Sequence, residues 1–65
     1  MDIFLLIFKE KAELSEIKSR LSMKDLCIAL DDRFAIVTLS GKTPEYVSQF
    51  EEFLQHLEKV NVERI

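Results

Sequence analysis

The chain has 65 residues, with nine lysines and arginines against twelve acids for a net charge of −3, and 48% of it is hydrophobic. One cysteine, Cys27, and one histidine, His56, exclude an internal disulfide and a four-ligand protein zinc site. The acidic balance lacks the basic footprint of nucleic-acid binders, and a single Gly and a single Pro leave little room for long loops.

A domain of this size buries only about 60% of its unfolded surface, so it must draw stability from an unusually apolar core or from association. The run Ile3-Phe4-Leu5-Leu6-Ile7-Phe8 is the centre of that demand. It is too short to span a membrane and too rich in branched and aromatic residues for a short helix, which predicts a strand over residues 2–8. Alternate side chains of a strand point to opposite faces, so both faces of this one need cover. One acidic residue, Asp2, precedes the run and no small-residue cleavage site follows it, so no export signal is read. With the lone free thiol, this points to a reducing, cytoplasmic setting.

Lys9-Glu10-Lys11 changes the pattern, and Leu14, Ile17 and Leu21 then recur at helical spacing, predicting a first helix over roughly 10–22. Glu16 and Arg20, four apart on the polar side, would support it as a pair. Leu26-Cys27-Ile28-Ala29-Leu30 and Phe34-Ala35-Ile36-Val37-Thr38-Leu39 are apolar runs separated by Asp31-Asp32-Arg33, the pattern of a β-hairpin. The absence of glycine leaves the turn type open, because a type I′ turn needs positive φ at both central residues. Thr43-Pro44-Glu45 then reads as a helix start, with Thr as N-cap, Pro at the first position and an acid facing the dipole. The second helix, roughly 44–59, carries Tyr46, Val47, Phe50, Phe53, Leu54 and Leu57, with Val60 continuing the stripe. Asn61 ends it, and residues 62–65 are long enough for a last short strand.

The order β-α-β-β-α-(β) predicts an α+β domain, a ferredoxin-like sandwich with an antiparallel sheet and two helices on one face. Two helices cover one face only. The other should then alternate apolar with polar, yet no polar residue falls between Ile3 and Phe8 or between Leu26 and Leu30. A row of that kind exceeds what a soluble monomer tolerates, so a homodimer packed sheet face to sheet face is expected, with edge pairing through residues 62–65 as a further contact. The interface is drawn from Ile3, Phe4, Leu5, Leu6, Ile7, Leu26, Ile28, Ile36, Val62 and Ile65. Phe4 and Leu6 face the partner in one register of the first strand, and Ile3, Leu5 and Ile7 in the other.

The chemistry-bearing residues are sparse. Gly41-Lys42-Thr43 matches the end of a phosphate-binding loop, but the glycine required five positions earlier falls at Ile36, and a turn with an N-cap accounts for all three. Cys27, mid-strand, reads as an inert buried thiol. His56, four residues after Glu52, reads as a surface pair rather than a general base. Asp31 and Asp32 supply too few oxygens for a hard cation and read as a turn. No catalytic, cofactor-binding or metal-binding residue is assigned, and no cofactor is implied. Residues 43–65 hold five acids against two bases, and Glu51, Glu52 and Glu58 could present an acidic docking surface to a basic partner.

The element order, with a third strand ending in Thr38-Leu39-Ser40 and an acidic amphipathic helix before a short last strand, resembles two ferredoxin-like groups. These are the ACT-type regulatory domains and the CRISPR spacer-acquisition nuclease-fold family with its small toxin–antitoxin relatives. The first resemblance implies ligand sensing, the second metal-dependent nucleic-acid cleavage or binding. Where the nuclease-fold family places its metal aspartate this chain has Phe8 and Lys9. Where ACT domains have a glycine-rich turn it has Lys9-Glu10-Lys11. It is assigned to neither group. The preferred expectation is a non-enzymatic regulatory protein that binds itself and another protein, such as an antitoxin-like or phage-type inhibitor. The alternatives are an ACT-like sensing module and a small nuclease whose acids would come from Asp2, Asp25, Asp31 or Asp32.

Overall fold

In the computed structural model, which describes residues 1–65, six elements follow one another. They are β1 (Asp2–Phe8), α1 (Ser15–Ser19), β2 (Leu26–Ala29), β3 (Phe34–Leu39), α2 (Pro44–Gln55) and β4 (Val60–Arg64). The strands form one four-stranded antiparallel sheet in the order β2-β3-β1-β4, with β1 and β3 in the middle. The fold is thus α+β, and no helix is long and apolar enough to cross a membrane.

The period of two decides which side chains meet the helices. Phe4, Leu6 and Phe8 of β1 and Ala35, Val37 and Leu39 of β3 point to one side and are buried with Ile17 of α1 and Val47, Phe50 and Leu54 of α2. Their neighbours Ile3, Leu5, Ile7 and Ile36 point the other way and are only half-buried. Both helices therefore contribute to one core on one side of the sheet.

The first helix is shorter than its periodicity predicts, five residues rather than the span 10–22. The N–H of Ala12 is given to the Asp32 carbonyl at 2.6 Å, so the chain is tied to the hairpin turn and cannot enter a helical ladder there. Glu13 then accepts from the Ser15 backbone N–H and hydroxyl at 3.1 and 2.7 Å, starting the helix one turn later. Its carboxyl is held below the ordinary value by the Ser15 hydroxyl first and the Ser15 backbone N–H second, against a small opposing effect of burial. The expected Glu16–Arg20 pair does not form, because Arg20 lies beyond the last turn with its guanidinium 4.1 Å from the centre of the Phe53 ring.

The hairpin forms as predicted, with Cys27 opposite Val37 and Ile28 opposite Ile36. Its turn uses no left-handed residue, so it is not type I′. Asp31 solves the problem with its side chain, whose Oδ1 accepts the Arg33 and Phe34 N–H groups at 2.8 and 3.0 Å.

The second helix starts where expected, with the Thr43 hydroxyl accepting the Tyr46 N–H at 3.1 Å and Pro44 in the first turn. It ends at Gln55, short of 59. Lys59 adopts a left-handed φ of 63°, which reverses the chain so that Lys59 can accept the Lys9 N–H at 2.9 Å. Val60 therefore leaves the helical stripe and begins β4 opposite Phe8. Asn61, expected as a helix terminator, pairs with Ile7.

Candidate interaction surface

The side of the sheet away from the helices is the main candidate surface. From the β2 edge inward it carries Leu26, Ile28 and Leu30, then Phe34, Ile36 and Thr38 of β3, then Ile3, Leu5 and Ile7 of β1. Leu26, Ile28 and Leu30 are 54%, 51% and 56% exposed. Across the ladder Ile36 sits between Ile28 and Leu5, so three strands present one continuous row. Thr38 is the one polar member before β4, where Asn61 and Glu63 stand opposite Ile7 and Leu5. Ile65, 73% exposed, donates its N–H to the Ile3 carbonyl at 2.9 Å and extends the apolar margin past the end of β4.

The two registers left open for β1 are thereby resolved. Ile3, Leu5 and Ile7 lie on the open face, while Phe4 and Leu6 are fully buried beneath the helices. Val62 stands opposite Leu6 and packs against the same core, so it too belongs to the covered side.

At the end of the sheet where β3 stops, Asp25 is the one charged residue in the interior. Its Oδ2 accepts the Ser22 N–H and hydroxyl at 2.9 and 2.7 Å, and its Oδ1 accepts the Ser40 N–H at 3.1 Å. Lys42 lies 3.4 Å away and donates to the Ser22 hydroxyl at 2.6 Å. Burial alone would push the carboxyl up. The bonds from Ser22 and Ser40 and the Lys42 ammonium outweigh it and hold the group below its ordinary value. The arrangement ties the loop before β2 to the loop before α2. Nearby Gly41 has a φ of 69°, and with Thr43 acting as N-cap the Gly41-Lys42-Thr43 stretch is a turn and a helix start.

The remaining singled-out residues are dispersed. Asp2 pairs with Arg64 at 3.0 Å, and Arg64 also reaches Glu51 at 3.4 Å. Asp31 and Asp32 sit in the hairpin turn, at the opposite end of the sheet from Asp2 and Asp25. No three His, Cys, Asp or Glu side chains come together as a set able to hold a metal ion. His56 caps α2 with its Nδ1 2.7 Å from the Glu52 carbonyl, so its partner is backbone rather than carboxylate. The geometry assigns the ring proton to Nδ1. Cys27 points to the helix side and is half-buried. Burial raises its thiol pKa, opposed in part by Lys18, so the sulfur stays protonated. Of the three docking acids, Glu51 is engaged by Arg64, Glu52 is exposed on α2, and Glu58 lies beyond the helix in the turn to β4.

Two of the four surface concavities have more than one apolar wall. A cleft of about 280 Å³ has Phe8, Ile17, Leu57 and Val60 among its apolar walls and several glutamates at its rim. A shallower groove of about 270 Å³ runs along α2 over Tyr46, Phe50 and Phe53 beside Arg20. The Tyr46 and Phe50 rings are 6.4 Å apart, and Phe50 and Phe53 meet edge to face at 5.5 Å.

Compared with protein-family models, curated proteins and solved structures, the chain finds no match in any of the three.

Proposed function

We propose that this chain is a ferredoxin-like, non-enzymatic interaction protein that works as a cytoplasmic homodimer, its sheet faces packed together, and regulates another protein by binding it. The observation that carries this reading is the open face itself. Ile3, Leu5, Ile7, Leu26, Ile28, Phe34 and Ile36 form one apolar row on three adjacent strands. Contiguous apolar surface of that kind marks an association site. Each such side chain withdrawn from water contributes on the order of 1.5–3 kcal/mol, which is large beside the stability of so small a domain. The strand order β2-β3-β1-β4, with the two central strands flanked by the partners of the β-α-β units, favours the ferredoxin-like class.

The dispersal of Asp2, Asp25, Asp31 and Asp32 over both ends of the sheet favours an interaction role over the nuclease reading, because a two-metal or one-metal site needs its carboxylates within a few ångströms of one another. The antitoxin-like or inhibitor role would use the face left over after dimerisation, where α2 presents Glu45, Tyr46, Gln49 and Glu52 outward.

Comparing the sedimentation of the native chain with that of Leu5→Lys and Ile36→Lys tests the assembly. Both substitutions place a charge at the middle of the row without touching the helix-side core, and both should shift the protein to a lighter species with unchanged far-UV circular dichroism. An unchanged mass contradicts the reading. Incubation with RNA and DNA plus magnesium or manganese tests the enzymatic alternative: cleavage lost in Asp31→Ala or Asp32→Ala would replace it.

A further inference from the structure

We propose that the outer edge of β2 is a self-complementary seam at which a second copy of this chain adds its own β2 antiparallel, with Ile28 opposite Ile28 of the second copy. The inference deepens the assembly reading above but rests on a different surface, the edge of the sheet rather than its face.

The hydrogen-bond parity of the sheet leaves this edge open. The Leu30 N–H is donated to the Phe34 carbonyl at 2.8 Å, and β2 pairs with β3 with Ile28 opposite Ile36 and Leu26 opposite Thr38. In an antiparallel ladder bonded residues alternate, so Leu26, Ile28 and Leu30 bond inward to β3 while Cys27 and Ala29 aim their N–H and C=O outward. No residue from 26 to 29 takes part in any backbone hydrogen bond outside the helices and strands. Ala29 is exposed and Cys27 half-buried, so the short α1 leaves the edge uncovered. Folded proteins protect such edges with charge, proline, a bulge or a very short strand, and Leu26-Cys27-Ile28-Ala29 has only its shortness. The other edge has charge: β4 carries Glu63 and Arg64, with Arg64 held by Asp2 and Glu51.

The sequence of the strand selects a second copy and a register. Leu26-Cys27-Ile28-Ala29-Leu30 reads the same way in both directions by size and polarity, with Ile28 at its centre. Setting Ile28 against Ile28 of the second copy pairs Cys27 with Ala29 and makes about four inter-strand hydrogen bonds. It also places Leu26 beside Leu30 on the open face, a match made twice by the two-fold axis. Sliding so that the two Cys27 residues meet puts Leu30 against Lys24. Sliding so that the two Ala29 residues meet puts Leu26 against Asp32. Only the Ile28-centred register sets every residue from Leu26 to Leu30 against an apolar one.

Amide hydrogen exchange on the full chain reads the seam with no substitution. The Cys27 and Ala29 N–H groups, which have no partner in a single copy, should exchange as slowly as the Ile28 N–H that β3 holds. Fast exchange at Cys27 and Ala29 beside a slow Ile28 overturns the seam, and that is also the result if the edge instead awaits a strand from some other protein. Ala29→Pro supplies the second test, since it removes only an N–H that the isolated subunit leaves unbonded. The seam doubles the face-packed homodimer proposed above, so the native chain should sediment as four copies, Ala29→Pro as two, and Leu5→Lys as two with Cys27 and Ala29 still slow. A two-copy native particle that Ala29→Pro does not change overturns the seam and leaves the face contact standing. A two-copy native particle that Ala29→Pro splits, while Leu5→Lys does not, supports the seam and refutes the face contact.

Discussion

Leu5 stands directly opposite Ile36 across the β1–β3 ladder, on the face that no helix covers, while the adjoining pair Leu6 and Ala35 is completely buried beneath the helices. One residue step along β1 thus separates a core position from a surface position. The two should answer substitution in opposite ways. Leu6→Ala removes buried methyls from a packed core and should cost about 3 kcal/mol in urea unfolding. For a domain of this size that is enough to leave much of the protein unfolded. Leu5→Lys should leave the subunit folded and remove the dependence of the urea midpoint on protein concentration that association imposes on the native chain.

Asp25 should set the acid limit of stability. Its folded-state pKa lies below the ordinary aspartate value of 3.8. Its stabilisation is therefore complete above that value and is lost as pH falls through the lower, folded-state value. Asp25→Ala leaves the Ser22 and Ser40 N–H groups and the Lys42 ammonium without their acceptor, and should cost about 3 kcal/mol at neutral pH. Asp25→Asn should flatten the dependence of stability on pH below 4. Urea titrations at a series of pH values check both.

Lys59 holds a left-handed φ of 63°, a conformation that costs a side-chain-bearing residue about 1 kcal/mol and glycine almost nothing. Its ion pair with Glu10, at 2.8 Å, is well exposed on both sides and offsets little of that. Lys59→Gly should accordingly raise the midpoint of thermal unfolding. A lower midpoint would mean that the pair with Glu10 outweighs the backbone strain.

Cys27 should react slowly with iodoacetamide in the folded protein near pH 8, because burial raises its thiol pKa and lowers the thiolate fraction. Reaction at the rate of a free cysteine would show that β2 opens readily. Addition of urea should bring the rate up to that of the unfolded chain.

The first three strands and the helix start at Thr43 were legible in the sequence because each rests on a local signal: an unbroken apolar run, a hairpin gap, an N-cap followed by proline. The ends of the helices were not. Residues 10–14 have helical spacing, but a tertiary bond from Ala12 to the Asp32 carbonyl removes them from the helix, and nothing near Ala12 announces it. Val60 continues the apolar stripe of α2, yet the left-handed turn at Lys59 and pairing with Phe8 claim it for β4. The register of β1 was hidden for a related reason. With no polar residue from Ile3 to Phe8, only the placement of Ile17, Val47, Phe50 and Leu54 decides which half of the run is core. Asp25 was visible as the residue opening the second apolar run, and Ser22 three positions before it is the usual spacing for a side-chain bond to the backbone. Its long-range partners Ser40 and Lys42 carry no such signal. The open face was the most legible part of the surface, since an apolar run that two helices can cover on one side only leaves the other side bare.

Sedimentation equilibrium of the native chain at micromolar concentration tests the central claim most directly. The account predicts a particle that is an even multiple of the 7.6 kDa chain, converted to a lighter one by Leu5→Lys. A single 7.6 kDa species across the concentration range would contradict it.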